Sequence, residues 1–191
     1  MSKKHFVIAL LTGLPLTAAA EGLSYNYVDV RYATADDWRG LDPDGVTGEV
    51  SGLISDQLFL RGGASLLSDS PVDVDTFSGE LGLRHAIDRD ADLQGTIGLL
   101  HAEADGRGGS DDDTGFIATG GVRAMLTPEV ELEGSLIYEE NDILDAAYND
   151  GIDARFGGLF HVTPRLALGA NYRVDNELLT LGGRYDFAVM R

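Results

Sequence analysis

Residues 130–139 read Val-Glu-Leu-Glu-Gly-Ser-Leu-Ile-Tyr-Glu. Val130, Leu132, Gly134, Leu136 and Tyr138 fall on one side of an extended chain, and Glu131, Glu133, Ser135 and Glu139 on the other. A spacing of two is the period of a β-strand whose two faces meet different surroundings. The pattern recurs. Ile152, Ala154, Phe156, Gly158 and Phe160 oppose Asp153, Arg155 and His161; Leu166, Leu168, Ala170 and Tyr172 oppose Asn171 and Arg173. Leu179, Leu181, Gly183, Tyr185 and Phe187 oppose Thr180, Arg184 and Asp186. The first such segment is ambiguous, with Val28, Val30 and Tyr32 against Tyr27, Asp29 and Arg31.

Turn residues divide the chain into ten predicted strands, at about 22–33, 44–54, 57–67, 75–86, 92–103, 114–126, 129–139, 151–162, 165–174 and 177–188. The breaks alternate in kind. SDQ, IDRDAD, TPE and TPR are short, whereas ATADDWRGLDPD, SDSPVD, DGRGGSDDD and ENDILDAAYND are longer and acidic; the last hairpin has only Asp175-Asn176. A repeat accompanies them, with Thr127 and Thr163 36 residues apart and Ser55 and Thr127 72 apart. That period suits two strands with one tight turn and one longer loop. An even number of strands, short turns at one end and long loops at the other predict an all-β fold: a ten-stranded antiparallel up-and-down transmembrane β-barrel with both termini in the periplasm.

Alternation alone is equally compatible with a soluble barrel, apolar face inward. Charge separates the two readings. The polar face carries Glu49, Glu80, Glu131, Glu133, Glu139, Asp153 and Asp186, with Arg61, Arg84, Arg123, Arg155, Arg173 and Arg184. Seven acids against six bases is near balance in a chain whose formal net charge is -18. A narrow interior demands such balance, because an unpaired buried charge costs several kcal/mol. These thirteen residues are therefore the expected interior network.

The start of the chain agrees. Lys3 and Lys4 precede the apolar run VIALLTGLPL, and small residues lead to a cut after Ala20, the three-part form of a secretory signal. The expected organisation is a cleaved signal at 1–20 and a single barrel domain at 21–191, with a mature charge of -18 minus 2, or -20. No later apolar stretch is long enough for a helical span. So acidic a chain is not expected to bind nucleic acid, and with no cysteine it has neither disulfides nor thiolate metal sites.

The chain closes on TLGGRYDFAVMR. Thr180, Gly182, Tyr185 and Phe187 in this stretch resemble the C-terminal strand signal that outer-membrane barrels present to their assembly machinery, although AVMR follows the last aromatic. With GLSYNYVDVRY and VRAMLTPEVELEG, the ending makes the chain similar to the small bacterial outer-membrane barrels OmpX, OmpW and the OmpA barrel, with two strands more than their usual eight. Some such relatives carry porin-family or quorum-factor labels, which no residue motif here supports. The resemblance implies outer-membrane lipid and the assembly machinery as partners, no cofactor, and a monomer.

Candidate chemistry is sparse. Segments 34–44, 68–75, 103–113 and 140–150 hold sixteen acids. They read as a solvated rim, with divalent cations at the loops as the competing reading. His101 beside Glu103, with Ser110 further along, is the candidate for an outer-membrane hydrolase; a structural interfacial histidine is the simpler reading. His85 and His161 are expected near the short turns, and Trp38 in the first loop. The expected function is non-enzymatic: surface interaction or envelope integrity, with a lumen filled by ion pairs. A narrow porin-like channel, a hydrolase and a soluble periplasmic binding barrel are the alternatives.

Overall fold

A computed structural model describes residues 23–36, 42–106, 108–147 and 151–187. The proposed signal segment, Trp38 and the AVMR tail lie outside the described residues. The chain forms a closed antiparallel barrel of ten strands: β1 (Tyr27–Ala35), β2 (Asp44–Leu53), β3 (Leu58–Asp69), β4 (Val72–Ala86), β5 (Ala91–Gly106), β6 (Gly109–Thr127), β7 (Val130–Glu140), β8 (Gly151–His161), β9 (Leu166–Arg173) and β10 (Leu178–Asp186). Neighbours in sequence are neighbours in space, and β1 closes the wall by pairing with both β2 and β10. A short helix, α1 (Asp142–Ala147), joins β7 to β8.

Register decides the faces. Val30 pairs with Gly183 and Asp29 with Arg184 and Glu49, which places Tyr27, Asp29 and Arg31 inside and resolves the ambiguous first strand. Outside stand Val30, Leu60, Leu81, Leu99, Leu136, Ile152 and Leu168, all close to half exposed or more. Inside are buried Asp29, Arg61, Glu80, Arg123, Glu131 and Arg184. A water-soluble barrel would reverse these faces, so that alternative falls. On β7 the outward apolar positions run from Val130 to Tyr138, about the 9–11 residues a tilted strand needs to cross a bilayer. No helix among the described residues is long and apolar enough to span a membrane.

Two segments expected as loops are strand instead. SDSPVD and DGRGGSDDD are mostly absorbed into β3 to β6, leaving turns around Ser70-Pro71 and at Gly108. The reason is that period-two alternation continues through the acids. Val72, Val74, Ala102 and Ala104 point inward while Asp73, Asp75, Glu103 and Asp105 point outward. Strands β4 to β6, of 15, 16 and 19 residues, consequently extend beyond the apolar belt at the end away from the termini.

Candidate functional site: the lumen and its acidic rim

The lumen is organised in layers. At the terminus end the Tyr25 and Phe59 rings meet at a tilt of 49°, with centroids 4.8 Å apart. Arg123 lies over Tyr25 at 4.8 Å and Arg184 over Tyr27 at 4.1 Å. Glu131, on β7, accepts from Arg123 Nε at 2.8 Å, ion-pairs with Arg184 at 3.4 Å, and stands 3.3 Å from His161. Arg184 is on β10, so this pair links strands that are not neighbours.

Further in, Asp29 accepts a two-pronged contact from Arg31, at 2.6 and 2.7 Å, and a third bond from Arg184 at 3.2 Å. Gly182 makes room for it: a Cβ there would stand 2.7 Å from Arg31 Cγ. Arg61 pairs with Glu80, directly opposite on β4, and reaches Thr96 at 2.9 Å and Thr119 at 3.4 Å. The Tyr27 hydroxyl donates to Glu49. On the far wall Arg155 meets Glu133 at 3.3 Å, and Arg173 binds both Glu139 at 2.8 Å and Asp153 at 2.7 Å. Charged groups out of water in this way need their partners, since the pair offsets a desolvation cost of several kcal/mol per ion.

All thirteen sequence-predicted interior residues stand on the inward face by register. Eleven are in ion pairs; Glu49 and Asp186 have none among the described residues. Sequence reasoning missed three members. Asp29 and Arg31 were hidden by the ambiguous first strand, although opposite charges two residues apart are themselves a same-face signal. Asp92, read as part of a turn, is the partner of Arg84 at 3.3 Å.

It also missed an apolar collar. Ala33, Leu67, Val74, Leu100, Ala102, Ile117 and Ile137 line the inside at the end away from the termini, and Leu144 of α1 is buried among them. Asn141 holds α1 in place. Its Oδ1 accepts from the backbone N–H groups of Ile143 and Leu144, an N-cap, while its amide donates to Asp113 O at 3.1 Å. The available signal was a set of apolar doublets, Leu66-Leu67, Leu99-Leu100, Phe116-Ile117 and Leu136-Ile137, in which one residue faces outward and the next inward.

Beyond the collar, carboxylates face each other across strands: Asp73 opposite Asp105, and Asp75 opposite Glu103, itself opposite Asp112. Partial burial and then the neighbouring Asp73, Glu103 and Asp105 raise the Asp75 carboxyl above its ordinary range. No group of three or more His, Cys, Asp or Glu side chains among the described residues is placed to hold a metal ion. His101 is on this outer face and hydrogen-bonds Thr114 at 2.9 Å. Ser110 pairs with Asp105, four residues along β5 from His101 and so about 13 Å away at strand rise. The strand thus separates the histidine from the serine a hydrolase would need. His85 is exposed on the outer wall near the turn after β4, and His161 faces inward.

Of the four residues in the ending, Thr180 and Gly182 face the lumen and Tyr185 faces out. Phe187 continues the β10 edge by donating its N–H to Asn26 O at 2.9 Å. On the outside it lies against a shallow groove formed by Val50, Gly52, Leu60 and Leu81.

The model of a family described as "Outer membrane protein beta-barrel domain" matches residues 6–160. No curated protein matches the sequence. Among solved structures, the chain is similar to the N-terminal β-barrel domain of Pseudomonas aeruginosa OprF, with 13% identity, TM-score 0.50, and 86% of this chain and 100% of that one covered. It is similar to P. aeruginosa OprG, with 12% identity, TM-score 0.47 and coverages of 88% and 99%. It is also similar to the attachment invasion locus protein Ail of Yersinia pestis, with 15% identity, TM-score 0.44 and coverages of 84% and 95%. At these identities the likeness is one of fold.

Proposed function

The chain belongs to the outer membrane protein β-barrel domain family, and from that premise we propose that it is a non-enzymatic outer-membrane barrel, closed at rest, that presents an acidic rim for surface interaction or envelope integrity. The observation that carries this reading is the vertical division of the molecule. The lumen is crossed by the Arg184–Glu131 pair at one end and filled by the Leu144 collar at the other. The charge not needed for folding is displayed outside, on the extended β4–β6 strands. Like charges directly opposite on a sheet destabilise it, so the fold itself gains nothing from Asp73 facing Asp105 or Asp75 facing Glu103.

Both termini belong in the periplasm on this reading. They share an end with the short turns, and the extended strands are at the other, the usual arrangement of outer-membrane barrels. Divalent cations would then be diffuse counter-ions of the rim. The assembly machinery would read the strand edge at Tyr185 and Phe187. A narrow channel is the second reading, favoured by a cavity of about 190 Å³ between the ionic layers and the collar.

Planar-bilayer recordings test the closed state. The purified barrel is expected to show no steady conductance, and stable unitary openings of the wild type would replace this reading with the channel. A cysteine placed at Gly109 should be labelled on intact cells by an impermeant maleimide. Labelling only after the outer membrane is broken would invert the orientation.

A further inference from the structure

Residues 23–26, ahead of β1, lie outside the sheet. Ser24 Oγ donates to Asn26 O at 3.3 Å and accepts from the Asn26 N–H at 3.2 Å, a side-chain turn that bends the chain at the foot of the strand. Asn26 anchors the bend to both neighbours of β1. Its Oδ1 accepts from the N–H of Leu53 on β2 at 2.8 Å, and its carbonyl accepts from the N–H of Phe187, just past β10, at 2.9 Å.

From that anchor the chain reaches across the mouth. Ser24 O accepts from Arg123 Nη1 at 2.9 Å, and Arg123 is on β6, five strands from β1 in either direction round the barrel. The contact is therefore made with the opposite wall. Tyr25 keeps the inward alternation of β1 and is 1% exposed. Two guanidinium groups stand over its ring, Arg84 at 5.0 Å and Arg123 at 4.8 Å, and Phe59 meets it at 4.8 Å. Gly82, opposite Phe59 on β4, leaves room for the Phe59 ring, which a Cβ there would overlap. Arg123 also stands 5.8 Å over Tyr27, which has Arg184 at 4.1 Å. Rings and guanidinium groups thus form a continuous line of contacts from β4 through β6 to β10. The wall does not need them, since β1 is already paired along both edges. They hold a segment across an opening.

We propose that residues 23–26 are a plug for the mouth at the terminus end, seated by Tyr25, and that two seals in series shut the lumen: this plug and the collar around Leu144. The inference rests on the closed-lumen reading and adds which part of the chain closes the second end. The seals differ in kind. The collar keeps water out with aliphatic side chains. The plug is seated by cation–π contacts, which strengthen as water is excluded from them. Unseating it unpairs no strand. With two seals in series, the passage of ions is limited by whichever stays closed.

The test is the open probability of the folded full-length mature barrel in planar bilayers, with one seal or both removed. Leu144→Asp opens the collar and leaves the plug limiting. Adding Tyr25→Ala is expected to raise the open probability about tenfold over Leu144→Asp alone, the factor by which losing two cation–π contacts shifts the seated–unseated equilibrium. Adding Tyr25→Phe instead keeps the ring and is expected to leave Leu144→Asp unchanged. Tyr25→Ala alone is expected to stay at the wild-type baseline, because the collar still closes the other end. If the Leu144→Asp/Tyr25→Ala pair does not reach the heat-modifiable folded form, Leu144→Ser replaces Leu144→Asp throughout. A collar variant no more open with Tyr25→Ala than without it would overturn the plug. So would Tyr25→Ala alone opening as far as the pair, since only one seal would then exist. Stable openings of the wild type would overturn the closed-lumen reading and the plug together, whereas the other two results overturn the plug alone.

Discussion

Glu131 is where the lumen network is most concentrated, and Glu131→Ala probes it most directly. Its side chain is 3% exposed and contacts Arg123, Arg184 and His161. Truncation leaves two guanidinium groups, 2% and 5% exposed, with fewer counter-charges. They do not lose every partner. Arg184 keeps Asp29 at 3.2 Å, and Arg123 keeps the Ser24 carbonyl at 2.9 Å and the Tyr25 ring. Removing one member of a buried pair typically costs ~3–5 kcal/mol, and the residual contacts place this case near the lower figure, about 3 kcal/mol. Glu129→Ala, two residues away in the exposed β6–β7 turn, serves as the control. It loses only a 3.1 Å contact with Thr127 and should cost about 0–1 kcal/mol. Urea unfolding of barrels in lipid vesicles, scored by the mobility difference between folded and boiled protein, reads both. Equal unfolding free energies for the two variants would refute the claim that the lumen charges are a buried, mutually dependent network.

Leu144→Asp puts a charge into the collar and should destabilise α1 docking by a few kcal/mol. In bilayer recordings it should raise conductance above the wild-type baseline, and a silent variant would show that α1 is not the outer seal. Asp75 sets a pH dependence for the rim. Its folded pKa is raised, so the folded chain holds a proton that the unfolded chain has already released. Stability therefore rises as pH falls through the raised value and is fully gained below the ordinary range near ~3.9. Asp75→Asn should flatten that slope in amide exchange of the β4–β5 strands; an unchanged slope would assign it to other carboxylates. Phe187→Lys should reduce the yield of inserted barrel in cells more than it reduces stability in detergent, because the direct penalty near an interface is only about 0–1 kcal/mol. Asp186→Lys, buried and facing inward, should show the opposite balance.

Much of the barrel is a local property of the chain. Period-two alternation in Val130–Glu139 marks a strand and its two faces without reference to any neighbour, and the short and long breaks set the antiparallel order. That is why ten strands, the inward set from Glu49 to Asp186 and the membrane class were legible. What closure decides was not. Arg184 meets Asp29 across 155 residues of sequence and Glu131 across 53. Those partners depend on register and on β1 pairing with β10, neither of which a strand carries within itself. The same holds for β1, whose two faces are nearly equal in polarity, so that only Val30 beside Gly183 and Asp29 beside Arg184 settle which is inside. Runs of acids at 73–75 and 103–105 masked strand as loop, because charge normally signals solvent and here stands on the outer face of a strand that has left the membrane. The collar is the clearest case. Leu67, Leu100, Ile117 and Ile137 are scattered over 71 positions, each an exception to its own strand's polar inner face, and Leu144 of α1 joins them. They become one apolar layer only because a closed barrel brings equal heights on separate strands to a common axis, where excluding water from all of them at once outweighs the pattern each breaks alone.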